Sequence, residues 1–125
     1  MRVGAIDIGS NSVRLLVAEI PDAEPWGPDL ETAARAGEAC RLGKGLHETG
    51  RVDDELVERA ATIVAEFLRR ARSLGARHVV AAATAALRRA SNGAAAADQD
   101  RDALLHCRCD FRKHVERADE AFFRA

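Results

Sequence analysis

Asp7, Gly9, Ser10, Asn11 and Ser12 are the residues of this 125-residue chain whose types and spacing are best suited to chemistry. A carboxylate ends the apolar run Ala5-Ile6-Asp7-Ile8, and a small-residue turn, Gly9-Ser10-Asn11-Ser12, opens the next apolar run from Val13 to Val17. Glycine lets a backbone approach an anion closely, and Ser, Asn and Ser add side-chain donors to their own N–H groups. The chemistry would be the gripping of a phosphate. A strand-end carboxylate such as Asp7 suits a hydrated Mg²⁺ or another divalent cation held against that phosphate, because hard cations prefer carboxylate and water oxygens. The plain alternative is an ordinary hairpin turn, since Gly, Asn and Ser populate turns for conformational reasons alone.

The elements that must position these residues are an alternating sheet and a helix. Val3, Ala5, Ile6 and Ile8, then Val13, Leu15, Leu16 and Val17, predict two short strands joined through the Gly9 to Ser12 turn. Pro21, Pro25, Gly27 and Pro28 make residues 21–29 a breaker-rich connection. Residues 30–40 are ambiguous, because Glu31-Thr32-Ala33-Ala34-Arg35-Ala36 could begin a helix by propensity. Between Asp53 and Leu74, Leu56, Ala60, Ile63, Val64, Phe67, Ala71 and Leu74 recur at helical steps. Asp53 can cap that helix, Asp54 and Glu55 complement its positive end, and Gly75 can stop it. His78 to Ala82 reads as a buried strand, followed by a short helix from Ala85 to about Ala90 that Thr84 can cap. The pattern predicts an α/β sheet with helical cover. Leu104, Leu105, Phe111, Val115, Phe122 and Phe123 allow helical pieces in the last thirty or so residues without a sustained stripe.

Composition narrows the function classes. The chain is 47% hydrophobic and 31% charged, as expected of a soluble globular domain, and its formal net charge is −1. Near-neutral charge and 4% aromatic content argue against nucleic acid and against an anionic membrane as partners. No secretory signal or membrane span is recognisable, and three cysteines, Cys40, Cys107 and Cys109, do not suggest a disulfide framework. A cytoplasmic setting is the expectation.

Several further constellations fail on spacing. Gly43-Lys44-Gly45 is not a Walker loop, since Glu38 stands where its first glycine belongs and Gly45 where Ser or Thr should follow the lysine. Glu48 likewise occupies the third glycine of a dinucleotide fingerprint. Lys44 is expected to be a solvated loop lysine, with reach to a polyphosphate as the alternative. His106, Cys107, Cys109 and His114 are too tightly spaced at Cys-x-Cys for an ordinary zinc site. His47 and His78 are isolated, so surface or structural roles are their default. Arg14 could face a cleft or pair with a surface carboxylate.

The run from Gly4 to Val17 resembles the opening of the exopolyphosphatase and guanosine pentaphosphate phosphatase family, within the actin-like ATPase superfamily. Arg41-Leu42-Gly43-Lys44-Gly45-Leu46 with Thr49-Gly50-Arg51 resembles that family's R-L-G-x-G-L and T-G-R segments, and Ala83 to Gly93 its A-T-x-A-L-R-x-A-x-N-G segment. The resemblance implies a ribonuclease H-like domain whose mixed sheet opens with a β-hairpin, and it favours a third strand in residues 30–40. It also implies a chain that is short against a two-domain family. Residues 1–93 would be a partial N-terminal domain, with 94–125 a divergent or truncated tail. The implied reaction releases terminal phosphate from inorganic polyphosphate or guanosine pentaphosphate. Asp7 would hold Mg²⁺, Gly9, Ser10, Asn11 and Ser12 would bind phosphate, and Arg88 would fork onto phosphate oxygens. Arg89 is expected to be solvated, and Ser91, Asn92 and Gly93 to end the helix. The family's S-G-x-E-E-A-R segment, with the glutamate thought to activate water, and its D-x-G-G-G-S loop are not found in this sequence. Glu116 and Glu120 lack that context. Two rival readings follow: a noncatalytic fragment binding phosphate or a partner chain, and a sugar- or acetate-kinase relative, against which the A-L-R-x-A-S-N-G run argues. A homo-oligomer or a partner domain is the implied assembly.

Overall fold

A computed structural model describes residues 1–21, 30–83, 86, 89–92 and 105–106. Strands β1 (Arg2–Ile8), β2 (Ser12–Glu19) and β3 (Glu31–Ala39) are followed by a short helix α1 (Leu46–Thr49), the long helix α2 (Asp54–Ser73), strand β4 (His78–Ala83) and a brief strand β5 (Leu105–His106). Their order in the sheet is β3-β2-β1-β4-β5. β1, β2 and β3 pair antiparallel, whereas β4 runs parallel to β1 and β5 parallel to β4. The helix α2 makes the crossover that a parallel neighbour requires.

Alternation decides which side of the sheet is covered. Gly4, Ile6 and Ile8, Val13, Leu15 and Val17, and Val79, Ala81 and Ala83 are buried on one face. The intervening Ala5, Asp7, Arg14, Val80 and Ala82 are exposed. In this sheet Asp7 is directly opposite Arg14 on β2 and Ala82 on β4. The side chain with the most chemical character on β1 therefore stands on the open face, because residue parity leaves it nowhere else.

Helix α2 covers the other face. Val57, Ala60, Ile63, Val64, Phe67, Leu68 and Ala71 are buried in its apolar stripe, while Leu56 and Leu74 are half-buried at its margins. Full burial of a Val, Leu or Phe side chain is worth about 1.5–3 kcal/mol, so this stripe dominates the adhesion of helix to sheet. The Asp53 carboxylate accepts from the Glu55 N–H at 2.9 Å and the Leu56 N–H at 3.4 Å, which caps the first turn. Gly75, at φ 85°, turns the chain off the helix and its N–H donates to the Arg72 carbonyl at 2.8 Å. Arg2 then ties the start of β1 to that turn: its Nη1 donates to the Leu74 carbonyl at 2.6 Å and its Nε to Glu19 at 3.1 Å. The terminal ammonium lies 2.9 Å from the other Glu19 oxygen. Hydrogen bonding from that ammonium, opposed by partial burial and reinforced by Arg2, holds the Glu19 carboxyl below its ordinary range. Because the shift is downward, what Glu19 contributes is present at neutral pH and lost on acidification.

The ambiguous stretch after residue 30 forms β3, an edge strand with Ala34 and Ala36 half-buried against the core and its other residues exposed. Thr84 and Ala85 lie outside the described residues. So do most of the positions after Asn92, including Cys107, Cys109, His114, Glu116 and Glu120. Among the described residues no helix is long and apolar enough to cross a membrane.

Gly4 is where helix and sheet come closest. A Cβ built there would lie 3.2 Å from the Ala71 Cβ and from both Val79 methyls. Gly4→Val should therefore destabilise the fold by about 1–3 kcal/mol, the usual cost of overpacking, while Ala5→Val on the open face should change stability little. Urea unfolding of the two variants checks this. Equal midpoints would show that the helix does not seat on Gly4.

Candidate functional site

The hairpin turn between β1 and β2 is bonded within itself and by the loop after β3. The Gly9 N–H donates to the Ser12 carbonyl at 2.9 Å, which closes the turn. The Ser10 carbonyl accepts the Gly43 N–H at 2.8 Å, and the Asn11 carbonyl accepts the N–H groups of Cys40 and Arg41 at 2.9 and 3.0 Å. The buried Cys40 thiol reaches the Gly9 carbonyl at 3.6 Å. The loop after β3 thus holds the turn from behind. Among the described residues the N–H groups of Ser10 and Asn11 meet no acceptor, and neither do the side chains of Ser10, Asn11 and Ser12. Two adjacent amides without an acceptor, with hydroxyl and carboxamide neighbours, give the turn a group of uncommitted donors.

Gly43 makes that geometry possible. A Cβ there would sit 3.2 Å from the Ser10 Cβ and 3.6 Å from the Ser10 carbonyl oxygen, so a side chain would crowd the two loops and oblige one of them to give by a few tenths of an ångström. Leu42, fully buried, anchors the same loop in the core. Gly45 and Gly50 flank helix α1 in left-handed conformations, at φ 73° and 67°. The R-L-G-x-G-L and T-G-R residues are thereby a scaffold for the turn.

Scaffold and turn enclose an open cleft of about 620 Å³, lined by Ser10, Asn11, Gly43, His47, Ala86 and Arg89 together with Leu46 and Gly50. It lies beyond the carboxyl ends of the parallel strands β1 and β4, the usual place for a ligand in a sheet of this kind. A clamp fixes its far wall. Asn92 donates through Nδ2 to the Val52 carbonyl at 2.7 Å and accepts the Val52 N–H on Oδ1 at 2.9 Å, and the Ser91 N–H donates to the Gly50 carbonyl at 2.8 Å. Asn92 ends the helical turn, as its sequence position suggests, and also ties that turn to the loop after α1.

The candidate residues distribute unevenly around this cleft. Ser10 and Asn11 line it, with the adjoining Gly9 and Ser12 half-buried in the same turn. Asp7 is two residues upstream, exposed on the open sheet face, and is not among the described lining residues. Arg14 is also exposed, directly across from Asp7, and among the described residues neither forms an ion pair. Arg88 lies outside the described residues. Arg89, read from sequence as a solvated arginine, is exposed and lines the cleft, as does His47. The signal for Arg89 was its three-residue step from Ala86, which puts both on one side of a helical turn. Among the described residues no three His, Cys, Asp or Glu side chains gather as a metal site.

A Ppx/GppA phosphatase family profile matches residues 16–98, about two thirds of the chain. The chain belongs to the Ppx/GppA phosphatase family. Exopolyphosphatase 2 of Mycobacterium tuberculosis is 38% identical over 66 residues, covering 53% of this chain and 20% of that protein. The guanosine-5'-triphosphate,3'-diphosphate pyrophosphatase of Vibrio vulnificus is 33% identical over 88 residues, covering 70% of this chain and 17% of that protein. The crystal structure of the Aquifex aeolicus family member superposes with a TM-score of 0.68 at 28% identity, over 98% of this chain and 33% of that one. The fold is therefore the actin-like, ribonuclease H-like domain of this family. The chain spans between a fifth and a third of the lengths of M. tuberculosis exopolyphosphatase 2 and the A. aeolicus protein.

Removing the Asn92 clamp isolates its contribution. Asn92→Ala leaves the N–H and carbonyl of the buried Val52 without their partners, a loss of about 1–3 kcal/mol. Urea unfolding should report that loss, and amide exchange at Val52 should accelerate relative to the α2 interior. Protection at Val52 that matches the parent chain would mean that the clamp is dispensable.

Proposed function

We propose that this chain supplies the phosphate-gripping wall of a phosphohydrolase cleft, in which water displaces the terminal phosphoryl group of inorganic polyphosphate or guanosine pentaphosphate. The observation that carries the proposal is the hairpin turn. Its Gly9, Ser10 and Asn11 carbonyls are engaged by the loop after β3, its Ser10 and Asn11 amides meet no acceptor among the described residues, and it shares a cleft with Arg89. Preorganised N–H donors stabilise phosphoryl oxygens without having to reorganise as charge shifts during displacement. The names of the relatives, exopolyphosphatase and guanosine pentaphosphate pyrophosphatase, support the same class of substrate.

In this reading the Ser10 and Asn11 N–H groups and the Ser10 and Ser12 hydroxyls donate to phosphate oxygens. Arg89 neutralises a neighbouring phosphate from the opposite wall, and Arg88 is proposed to share that role. Asp7 fits a divalent cation of the Mg²⁺ type: a single exposed carboxylate, with no second acidic ligand gathered beside it among the described residues, suits an ion that keeps most of its water. When bound, such a cation would neutralise charge on the phosphate oxygens. The chain's own contribution is to bind and orient. Among the described lining residues there is one imidazole, that of His47, and no carboxylate. That observation favours a second reading, in which these residues bind phosphate without turning it over.

Two measurements test the proposal. Replacing Ser10 and Ser12 with Ala removes two hydroxyl donors to a charged ligand, each worth about 1.5–3 kcal/mol, so calorimetric titration with tripolyphosphate should weaken at least tenfold. Asp7→Asn should abolish the part of that affinity which depends on Mg²⁺. Unchanged affinity in both variants would remove the cradle assignment.

Turnover separates the two readings. The 125-residue chain should release little phosphate from polyphosphate in Mg²⁺ buffer, and a chimera joined to the portion of a relative beyond the matched residues should gain it, because a base must converge with phosphate and metal within hydrogen-bond reach. Turnover by the 125-residue chain in the ordinary range of about 1–10³ s⁻¹ would show that it carries its own base.

A further inference from the structure

A second cleft lies against the same loop. About 320 Å³ in volume, it is lined by Ala39, Cys40, Arg41, Lys44, Leu56 and Arg59. The loop Cys40 to Gly45 borders both clefts, presenting Gly43 to the first and Arg41 and Lys44 to the second. Three cations converge here on a floor that includes the buried Cys40 and the half-buried Leu56, and no acidic residue is among the described lining. Glu58, next to Arg59 on α2, Glu55, one turn before it, Glu48, four residues after Lys44, and Glu38, near the end of β3, are the nearby carboxylates in sequence, and none forms an ion pair with these cations among the described residues. In a chain of net charge −1, three unpaired cations around one hollow are an uncompensated local charge.

Arg41 adds an independent observation. Its φ is 54°, and among the described residues it is the one non-glycine residue with a positive φ. Glycine or asparagine would take that conformation at lower cost. The backbone is held there by the Arg41 N–H donating to Asn11 and by the Arg41 carbonyl accepting from the Lys44 N–H at 2.9 Å. A strained position that carries a long cation, aimed at a hollow with two others, is expected where the side chain itself has a task.

We infer that Arg41, Lys44 and Arg59 form a second anion subsite, separate from the hairpin cleft, that holds a distal stretch of a polyanionic phosphate chain while its end occupies the first site. The identity of the ligand rests on the polyphosphate reading above; the subsite itself rests on the hollow and its three cations. Two linked sites on one polyanion raise the effective concentration of each, so the subsite favours long chains over short ones.

Lys44 provides a direct readout. Acylation of Lys44, followed by mass spectrometry, should be suppressed by saturating long-chain polyphosphate both in the parent chain and in the Ser10→Ala/Ser12→Ala variant. The triple variant Arg41→Asn/Lys44→Gln/Arg59→Gln, in which Asn accommodates the positive φ, should melt like the parent chain. It should bind long-chain polyphosphate about tenfold more weakly, while its affinity for tripolyphosphate stays within about twofold. Its dependence of log affinity on log salt should flatten by about two, for three cations lost against a single-stranded polyanion. Lys44 that stays reactive under polyphosphate, shielding that disappears in the Ser10/Ser12 variant, or an equal loss for long and short chains would each overturn a separate subsite. Failure of the cradle reading looks different: the Ser10/Ser12 variant would bind tripolyphosphate like the parent chain while Lys44 remained shielded.

Discussion

The hydrogen bonds from the Cys40 to Gly43 loop onto the Ser10 and Asn11 carbonyls are the constraint from which the rest of the site follows. A four-residue hairpin turn in isolation has several conformations of similar energy, and its N–H groups point accordingly. Here three amides of one loop, those of Cys40, Arg41 and Gly43, are donated to two carbonyls of the turn. A peptide plane whose carbonyl is fixed has its N–H fixed as well, since the unit is rigid. The Asn11 N–H shares its plane with the Ser10 carbonyl and the Ser10 N–H with the Gly9 carbonyl that the Cys40 thiol meets, so the loop orients both. Gly43 enters for the same reason: without a Cβ the donating loop approaches Ser10 uncrowded.

That dependence couples the site to the core. Leu42, between the donors, is fully buried, and the Cys40 thiol is buried against the Gly9 carbonyl. The β1–β2 strands beneath are held by the α2 stripe and by the close approach at Gly4. Parity then does the remaining positioning. The residues of β1 that face α2 are Gly4, Ile6 and Ile8, so Asp7 must emerge on the uncovered side, beside Arg14 and Ala82. A carboxylate on the covered face would have had to be desolvated against alanine and valine, which costs far more than a solvent-facing position.

What the sequence disclosed follows from how local each signal is. The hairpin and helix α2 were legible because their periods of two and 3.6 are written in consecutive residues, with Asp53 and Gly75 marking the ends of the helix. The strand β3 was not, because Glu31 to Ala36 has helix-forming propensity and an edge strand exposes most of its residues; only the family resemblance pointed to a strand. The turn could be placed from its residues, yet the reason for its geometry lies thirty residues away in the loop that binds it, and no local pattern contains it. The same holds for Asn92, whose clamp on Val52 spans forty residues. Arg89 was passed over because motif position favoured its neighbour, and its own place in the cleft lining depends on the phase of the helical turn. Phase is fixed by the packing of Ala86 and Ala90, both buried.

The division of labour within the cleft is a matter of which interactions a single wall can supply. Backbone donors, hydroxyls and guanidinium groups act by position, so each is effective as soon as its own scaffold folds. Proton abstraction differs, because the base must stand within hydrogen-bond reach of a water that is itself in line with the phosphorus and the leaving oxygen. Such an alignment is fixed by two surfaces facing each other across the substrate. The described wall offers amide, hydroxyl and carboxamide donors and one guanidinium, with one histidine and no carboxylate among its lining. On the reading proposed above, it is a grip whose contribution to bond breaking depends on what faces it.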